Sequence, residues 1–470
     1  MTLAHDASGP APPPRRAGGR IDPRAVRAYD IRGRVGEEID ADGAYALGRS
    51  YAAAAEDAGL SRIAVGRDGR ISSPSLEQAL VWGLCDGGMK VERVGLCPTP
   101  MLSFAVRRLG LDGAVMVTAS HNPPGENGFK ILLGPDRVHG ARLKALVETA
   151  PAAGRLGFAR RAEVCEAYVD SLAAAAAGMA DLSIAWDCGN GATGEIVRRL
   201  AARLPGRHRL LNAEIDGRFP AHHPDPAVAA NLDQLAQTVV EHRCDLGVAF
   251  DGDGDRLGVV GPDGRVLWAD QLLLLLARDL LAERPGAAIV GDVKCSRILF
   301  DGVEQAGGRA VLAPSGYVLV REAMLREDAA LAGELSGHIF YDAGWGVVDD
   351  ALYAAIRTFL AVSRLPGGLP AFRESLPPTF TTPELRIPCE EHRKPQVVRD
   401  VAERMAGEGG VFDEDLGLRV LGPDGWWLLR ASGTEPKLTC RCEANHPDAL
   451  ERLKARLAAE LKASGVEPGF

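Results

Sequence analysis

The sequence predicts an α/β protein of several domains that closes with a smaller α+β domain, and three observations carry that prediction. From Ile21 onward, short apolar runs alternate with longer segments of helical period, the succession of strands and helices that builds largely parallel sheets. The runs end in polar or Gly-rich turns, where open α/β sheets place their ligand loops. At 470 residues, the chain is longer than a single hydrophobic core sustains.

Taken in order, Met1 to Arg20 is rich in Pro, Gly and Ala and lacks the apolar stretch of a secretory signal, so it reads as a disordered tail. "RIAVGRD" from Arg62 reads as a strand, "SPSLEQALVWGLCDGG" from Ser73 as a helix, and "KVERVGL" from Lys90 as the next strand. Further strands are expected in "LSIAWDCGNG" from Leu182, "RLLNAEI" from Arg209, "CDLGVAFDGDGD" from Cys244, "AAIVGDVKC" from Ala287 and "RAVLAPSG" from Arg309. "LLLLLA" from Leu272 is far short of the ~20 residues that cross a bilayer and reads as a buried helix. "SRLPGGLP" from Ser363 reads as a linker. Beyond it, "LRVLGPDGWWLLRASGTEPKLTCRCEA" from Leu418 holds apolar runs joined by a Pro-Asp-Gly turn, and "PDALERLKARLAAELKAS" from Pro447 is an amphipathic helix. The expected layout is a tail over 1–20, α/β domains over 21–160, 161–262 and 263–374, and a C-terminal α+β domain over 375–470.

A content of 46% hydrophobic and 25% charged residues is that of an ordinary globular protein. The net charge of -9 is spread along the chain without a Lys/Arg-rich block, so small molecules are expected as partners, not nucleic acid or an anionic membrane. The 9 cysteines are scattered and form no C-x-x-C, so neither a zinc site nor a disulfide framework is indicated, and a reduced cytoplasmic setting fits.

The sharpest chemical signal is "DGDGDR", where Asp251, Asp253 and Asp255 alternate with glycines after an apolar strand. Three carboxylates so close repel one another, the glycines let their oxygens converge, and a hard divalent cation resolves the repulsion. An EF-hand is excluded, because its sixth position would be Arg256 and its twelfth Pro262. In "GAVMVTASHNPPGENGFKILLG", Ser120 is followed at once by His121 and, a loop later, by Lys130. No G-x-S-x-G elbow surrounds the serine, so acyl chemistry lacks support. Phosphorylation is the alternative, since a phosphoserine supplies hard oxygens that complete the coordination of a metal held by the three aspartates. Three carboxylates and a phosphate of about -2 against one divalent cation leave roughly -3, which Arg256, Lys130 and His121 are available to balance.

"RASGTEPK" combines the Arg430 guanidinium, hydroxyls at Ser432 and Thr434 and backbone N–H groups freed by Gly433, a set that matches a phosphate. "GELSGH" sets Glu334, Ser336 and His338 on alternate positions, which in an extended strand share one face and suit vicinal sugar hydroxyls. "YDIRG" from Tyr29 and "DVKCS" from Asp292 add Arg32 and Lys294 as anion contacts. Two stretches imitate other chemistry. Gly189, Gly191 and Gly194, with Glu214 about twenty residues on, have dinucleotide-fingerprint spacing, but close strand-to-helix packing accounts for them. "HHPDP" at His222 reads as a loop, because adjacent histidines cannot readily point at one ion.

Together, and in this order, "TASHNP", "DGDGDR", "GELSGH" and "RASGTEP" resemble the α-D-phosphohexomutase superfamily over nearly the whole chain after the tail. "YDIRG", "DGRFPAHHPDP", "DVKCS" and "SGHIF" look most like its bacterial phosphomannomutase/phosphoglucomutase branch. The resemblance implies three similar α/β domains with mixed sheets and a smaller α+β domain around a central cleft. It implies reversible interconversion of hexose 1-phosphate and hexose 6-phosphate through a hexose 1,6-bisphosphate. Ser120 would carry the phosphoryl group and, with Asp251, Asp253 and Asp255, ligate Mg²⁺. Arg256 would stand beside it, and His121 and Lys130 would handle protons. Arg430, Ser432, Gly433 and Thr434 would anchor the non-reacting phosphate, and Glu334, Ser336 and His338 the ring hydroxyls, with Tyr29, Arg32 and Lys294 as further substrate contacts. Tyr317 stands where that branch carries a substrate-contacting histidine, which leaves mannose against glucose open. A monomer without nucleic-acid or membrane partners is expected. A non-catalytic phosphosugar-binding protein and an NAD(P)-dependent oxidoreductase are the alternatives.

Overall fold

The computed structural model describes residues 20–149, 156–342, 344–413, 416–432 and 436–470, so the expected tail lies outside the described residues except for Arg20. The chain forms two compact units. The first comprises the chain up to Val169 with Gly189–Ile196 and Asn212–Pro224, and the second comprises Asp170–Cys188, Val197–Leu211 and Asp225–Phe470.

In the first unit, strands Arg62–Arg67, Lys90–Leu96, Gly113–Val117 and Phe158–Arg161 run parallel, while Glu126–Leu133 and Ile31–Arg34 extend the sheet antiparallel. Helices Ala41–Asp57, Ser73–Asp86 and Thr99–Leu109 fill the crossovers. Their ends are written in the sequence. Asp40 caps the first by accepting from Gly43 N at 2.7 Å, and proline opens the other two, where a missing N–H costs nothing.

The second unit carries three sheets. Ser183–Asp187, Arg207–Leu211 and Leu246–Phe250 are parallel, with Leu257–Val260 and Val266–Leu267 added antiparallel. Ala288–Asp292, Arg309–Ala313 and Leu331–Gly333 are parallel, with Ile339–Tyr341 and Val348–Asp349 added antiparallel. The last sheet is antiparallel and built on Gly410–Asp413, Gly417–Gly422, Gly425–Ala431 and Lys437–Ala444. Helix Ala269–Glu283 buries its leucine run as expected.

The first three sheets are therefore mixed, as the family resemblance implies and not largely parallel as the apolar runs alone suggest, and the reason is loop length. Residues 118–125, 251–256 and 334–338 each join a parallel strand to its antiparallel neighbour, and none is long enough for the crossover a parallel return requires. These three hairpins hold "SHNP", "DGDGDR" and "ELSGH", so three of the four chemical loops occupy the same topological position in three sheets.

Three local expectations need correction. "RLLNAEI" stops being a strand at Leu211, because Asn212 turns to φ 50°. "SRLPGGLP" spans the end of helix Ala351–Arg364 and the start of helix Gly368–Glu374, separated by glycines at φ 77° and 64°, so it is a helix break and not a linker. "GELSGH" is a tight turn, not an extended run: Gly337 N donates to Glu334 O and Glu334 N to His338 O, each at 3.0 Å.

In the last sheet, alternation along the strands gives two faces. Trp427, Leu429, Cys440 and Cys442 form a core with Val397 and Val401 of helix Lys394–Met405 and Leu457 and Leu461 of helix Pro447–Ala463. Trp426 and Leu428 face the other way and pack on Val293. All nine cysteines are free thiols.

Candidate active site

In the first unit, Ser120 sits at φ 53°, a left-handed conformation that costs a serine about 1 kcal/mol or more and persists only where the surroundings impose it. The surroundings are identifiable. Thr118 Oγ1 accepts from Ser120 N at 2.8 Å, and Arg70, fully buried, donates to the carbonyl oxygens of Ser120 (2.9 Å), Asn122 (2.6 Å), Pro123 (2.7 Å) and Glu126 (2.9 Å). The loop is thus wrapped around a guanidinium. Asp68 holds Arg70 in place, accepting from its Nε at 3.1 Å, from Thr118 Oγ1 at 2.8 Å and from Ser73 Oγ at 2.5 Å. Burial pushes the Asp68 carboxyl up, against the pull of Arg70. Ser120 Oγ lies 3.1 Å from His121 Nδ1. Arg32 reaches the same loop through Asn122 Oδ1 at 2.8 Å and pairs with Asp30 at 2.8 Å. Lys130 is buried in mid-strand opposite Met116, and Tyr29 is half-buried just before strand Ile31–Arg34.

In the second unit, Asp251, Asp253 and Asp255 are fully buried, and each offers a carboxylate oxygen within 4.8 Å of the others. The turn is closed by Asp251 Oδ1, which accepts from the N–H groups of Asp255 (3.0 Å) and Arg256 (3.1 Å). Three convergent hard oxygens fit a hard divalent cation and suit thiophilic metals poorly. Arg256 Nε lies 3.1 Å from His338 Nε2, while His338 Nδ1 is 3.2 Å from Asp349 and 3.6 Å from Asp255. The Tyr317 ring stacks on His338 with centroids 5.3 Å apart. Glu334 accepts from Gly316 N at 2.7 Å and from Ser336 Oγ at 3.2 Å. Lys294 Nζ is 3.8 Å from Asp292 and 3.7 Å from Glu384. Asp292 in turn accepts from Ser315 Oγ (2.9 Å), Cys295 Sγ (3.1 Å) and Leu335 N (3.3 Å), tying the Lys294 loop to the "ELSGH" turn. Arg430, half-buried, is the next-to-last residue of strand Gly425–Ala431, and Ser432 O accepts from buried Lys394 at 2.6 Å. Gly433 and Thr434 lie outside the described residues.

Comparison with known proteins decides the family. Phosphoglucomutase/phosphomannomutase alpha/beta/alpha domains I, II and III match residues 23–144, 166–264 and 268–379, and the phosphoglucomutase/phosphomannomutase C-terminal domain matches 381–460. The chain belongs to the phosphoglucomutase/phosphomannomutase family. It is 40% identical over 448 residues to the phosphoglucomutase of Neisseria gonorrhoeae, covering 93% of this chain and 96% of that protein. It is 39% identical over 442 residues to the phosphomannomutase/phosphoglucomutase of Pseudomonas aeruginosa, covering 93% and 95%. The crystal structure of a phosphoglucomutase/phosphomannomutase family protein from Burkholderia thailandensis superposes with a TM-score of 0.88 at 35% identity, covering 94% of this chain and 98% of that one.

Within this family member, the first unit gathers Ser120, His121 and Arg32, and the second gathers the three aspartates with Arg256, His338 and Tyr317. Of the dinucleotide-like glycines, Gly194 serves packing, since a Cβ there would stand 2.1 Å from Ala213 O, while Gly189 turns the chain at φ 53°. His222 and His223 belong to no metal-capable cluster among the described residues. Sequence reasoning missed Arg70, Asp68, Asp349 and Lys394. Only the alternation in "RDGR" gave any signal for the first two, and it reads equally well as a surface turn.

No helix among the described residues is long and apolar enough to cross a membrane.

Proposed function

We infer that this chain is a phosphohexomutase that interconverts hexose 1-phosphate and hexose 6-phosphate through a phosphorylated Ser120 and a hexose 1,6-bisphosphate. The observation that supports this most is a buried serine held in a left-handed conformation by a guanidinium-centred loop, within a chain matched by four successive domains of one mutase family.

In this reading the Oγ–phosphorus bond of phosphoserine breaks as a bond forms to the free hydroxyl of the sugar monophosphate. The hydroxyl proton passes to His121 or Lys130 and the departing Ser120 Oγ takes up a proton, and both proton transfers run in reverse when Ser120 is phosphorylated again. The bisphosphate then turns end for end, and its other phosphoryl group returns to Ser120 Oγ, leaving the isomeric monophosphate. Such transfers depend on alignment and charge neutralisation more than on covalent chemistry. Asp251, Asp253 and Asp255 would hold Mg²⁺, which would supply positive charge against the transferring group when bound. Arg256 adds a further positive charge. Glu334, Ser336 and His338 receive the ring hydroxyls, with Tyr317 covering the imidazole. Lys294, Tyr29 and Arg32 contribute to substrate binding, and Arg430, Ser432, Gly433 and Thr434 to the non-reacting phosphate. That phosphate loop must accept either end of the sugar, which fits recognition by charge and backbone N–H groups.

Intact-mass measurement tests the reading. After incubation with glucose 1,6-bisphosphate and Mg²⁺, the wild type gains one phosphate, and Ser120→Ala gains none and loses mutase activity. A wild type that stays unmodified and inactive on glucose, mannose and glucosamine phosphates would point instead to a phosphosugar-binding protein.

A further inference from the structure

The face of the C-terminal sheet that carries Trp426 and Leu428 holds the loop that bears Lys294 by its backbone carbonyls. Three successive carbonyl groups of that loop, those of Val293, Lys294 and Cys295, accept hydrogen bonds from two arginines of the sheet. Arg419 Nη1 donates to Val293 O at 2.8 Å and its Nη2 to Cys295 O at 3.4 Å, while Arg441 Nη1 donates to Lys294 O at 2.7 Å. Both arginines are buried, 7% and 9% exposed as whole residues. Arg419 is sandwiched between the Trp426 ring, 3.9 Å from its centroid, and the Phe300 ring at 5.5 Å. Trp426 is fixed in turn through Nε1 to Glu443 Oε1 at 2.8 Å, and the same oxygen accepts from Arg297 N at 3.0 Å. Arg441 also lies 3.7 Å from Asp270, whose carboxylate accepts from Ser296 N at 2.9 Å.

Burying a guanidinium carries a high desolvation cost, and an apolar seam at this position would stabilise the contact at least as well. What the arginines add is direction, because a planar fork bonded to successive carbonyls fixes the orientation of the peptide planes. With those planes fixed, the Cα–Cβ vector of Lys294 is fixed too. The loop also transmits the constraint, since Asp292 at its start accepts from Leu335 N in the "ELSGH" turn.

We propose that Arg419 and Arg441 are positioning residues for the substrate. They clamp the 293–295 carbonyls from the C-terminal sheet and so set where Lys294 presents its ammonium group. The proposal rests on the assignment of Lys294 to substrate binding made above. It makes the sheet that ends in the phosphate loop also the support for a sugar-side cation.

A double-mutant cycle on the full-length protein tests it, using Arg419→Met, which keeps the bulk against Trp426 but removes the fork, and Lys294→Ala. Arg419→Met is expected to raise KM for hexose 1-phosphate roughly 10-fold with a smaller effect on kcat, the outcome of a misplaced binding group. Ser120 phosphorylation by glucose 1,6-bisphosphate, read by mass, is expected to go to the same extent as in the wild type. In the Lys294→Ala background the same substitution is expected to change KM by less than about 2-fold, because the group it positions is gone. Arg419→Lys restores only part of the loss, since one ammonium cannot reach both carbonyls. Multiplicative effects in the double mutant, or an unchanged KM in a folded Arg419→Met, would overturn the proposal. Should Arg419→Met fail to fold, Arg441→Met runs the same cycle through the Lys294 carbonyl alone. A wild type without mutase activity would instead count against the functional assignment, and that result is distinct from either outcome of the cycle.

Discussion

At the scale of single residues, the loop that carries Ser120 depends on the side chain of Arg70. Arg70 donates to four carbonyl oxygens around Ser120, and each such charged hydrogen bond contributes on the order of 1.5–3 kcal/mol to holding the loop. Together with the Thr118 Oγ1 bond to Ser120 N, those bonds surround the residue held at φ 53°. Arg70→Lys supplies one ammonium where a planar fork is needed, so it is expected to lower kcat by about 10²-fold or more. Phosphorylation of Ser120 by glucose 1,6-bisphosphate should slow in parallel, which stopped-flow quench with mass detection reads directly. A variant that folds and turns over at the wild-type rate would show that the loop holds its shape without the clamp. None of this was legible in advance, because "RDGRISSP" looks like an ordinary turn, and the carbonyls that Arg70 binds lie 50 or more residues along the chain. Backbone acceptors leave no mark on residue type.

At the scale of elements, what could be read was whatever local period and end signals dictate. The strands at Arg62 and Lys90 and the helix from Ser73 fall where apolar runs, a 3.6-residue period and proline put them. Local period alone did not give the direction of the returning strands, because it depends on whether residues 118–125, 251–256 and 334–338 have room for a crossover; the mixed sheets came only from the family resemblance. The sharing of a hairpin position by three chemical loops also emerges only from pairing. Likewise the alternate spacing of Glu334, Ser336 and His338 suggested an extended strand, whereas Gly337 at φ 97° folds them into a turn. The glycine triplet after strand Ser183–Asp187 is the opposite case, a pattern legible as two things at once. The packing role of Gly194 makes a definite prediction. A Cβ at Gly194 would meet the Ala213 carbonyl oxygen at 2.1 Å, so Gly194→Ala must move backbone and is expected to cost about 1–3 kcal/mol, seen as a lower thermal midpoint. Mutase activity of the folded fraction should be kept, and no nicotinamide dinucleotide should bind either protein. Tight binding of NAD(P) by the wild type, abolished in the variant, would revive the dinucleotide reading of those glycines.

At the scale of the whole molecule, folding buries a group of like charges that the unfolded chain leaves in water. Asp251, Asp253 and Asp255 are fully buried with oxygens within 4.8 Å of one another. At an effective dielectric constant near 20, two carboxylates at that spacing repel by roughly 3 kcal/mol, so the acidic turn opposes the fold that contains it. A divalent cation reverses the sign. One that binds only the native state stabilises it by about 2.7 kcal/mol at a hundred times its dissociation constant. Chelation should therefore lower the thermal midpoint of the protein by several degrees, and millimolar Mg²⁺ should restore it together with activity. The sharper consequence is an inversion of rank. Asp253→Asn removes one repelling charge and one ligand at once, so in EDTA it should melt above the wild type, whereas in saturating Mg²⁺ it should melt below it and be inactive. Differential scanning calorimetry of both proteins in both buffers decides the matter. If the variant and the wild type keep the same order of stability with and without Mg²⁺, the three carboxylates are held apart by the protein alone, and the cation has no structural part in the fold.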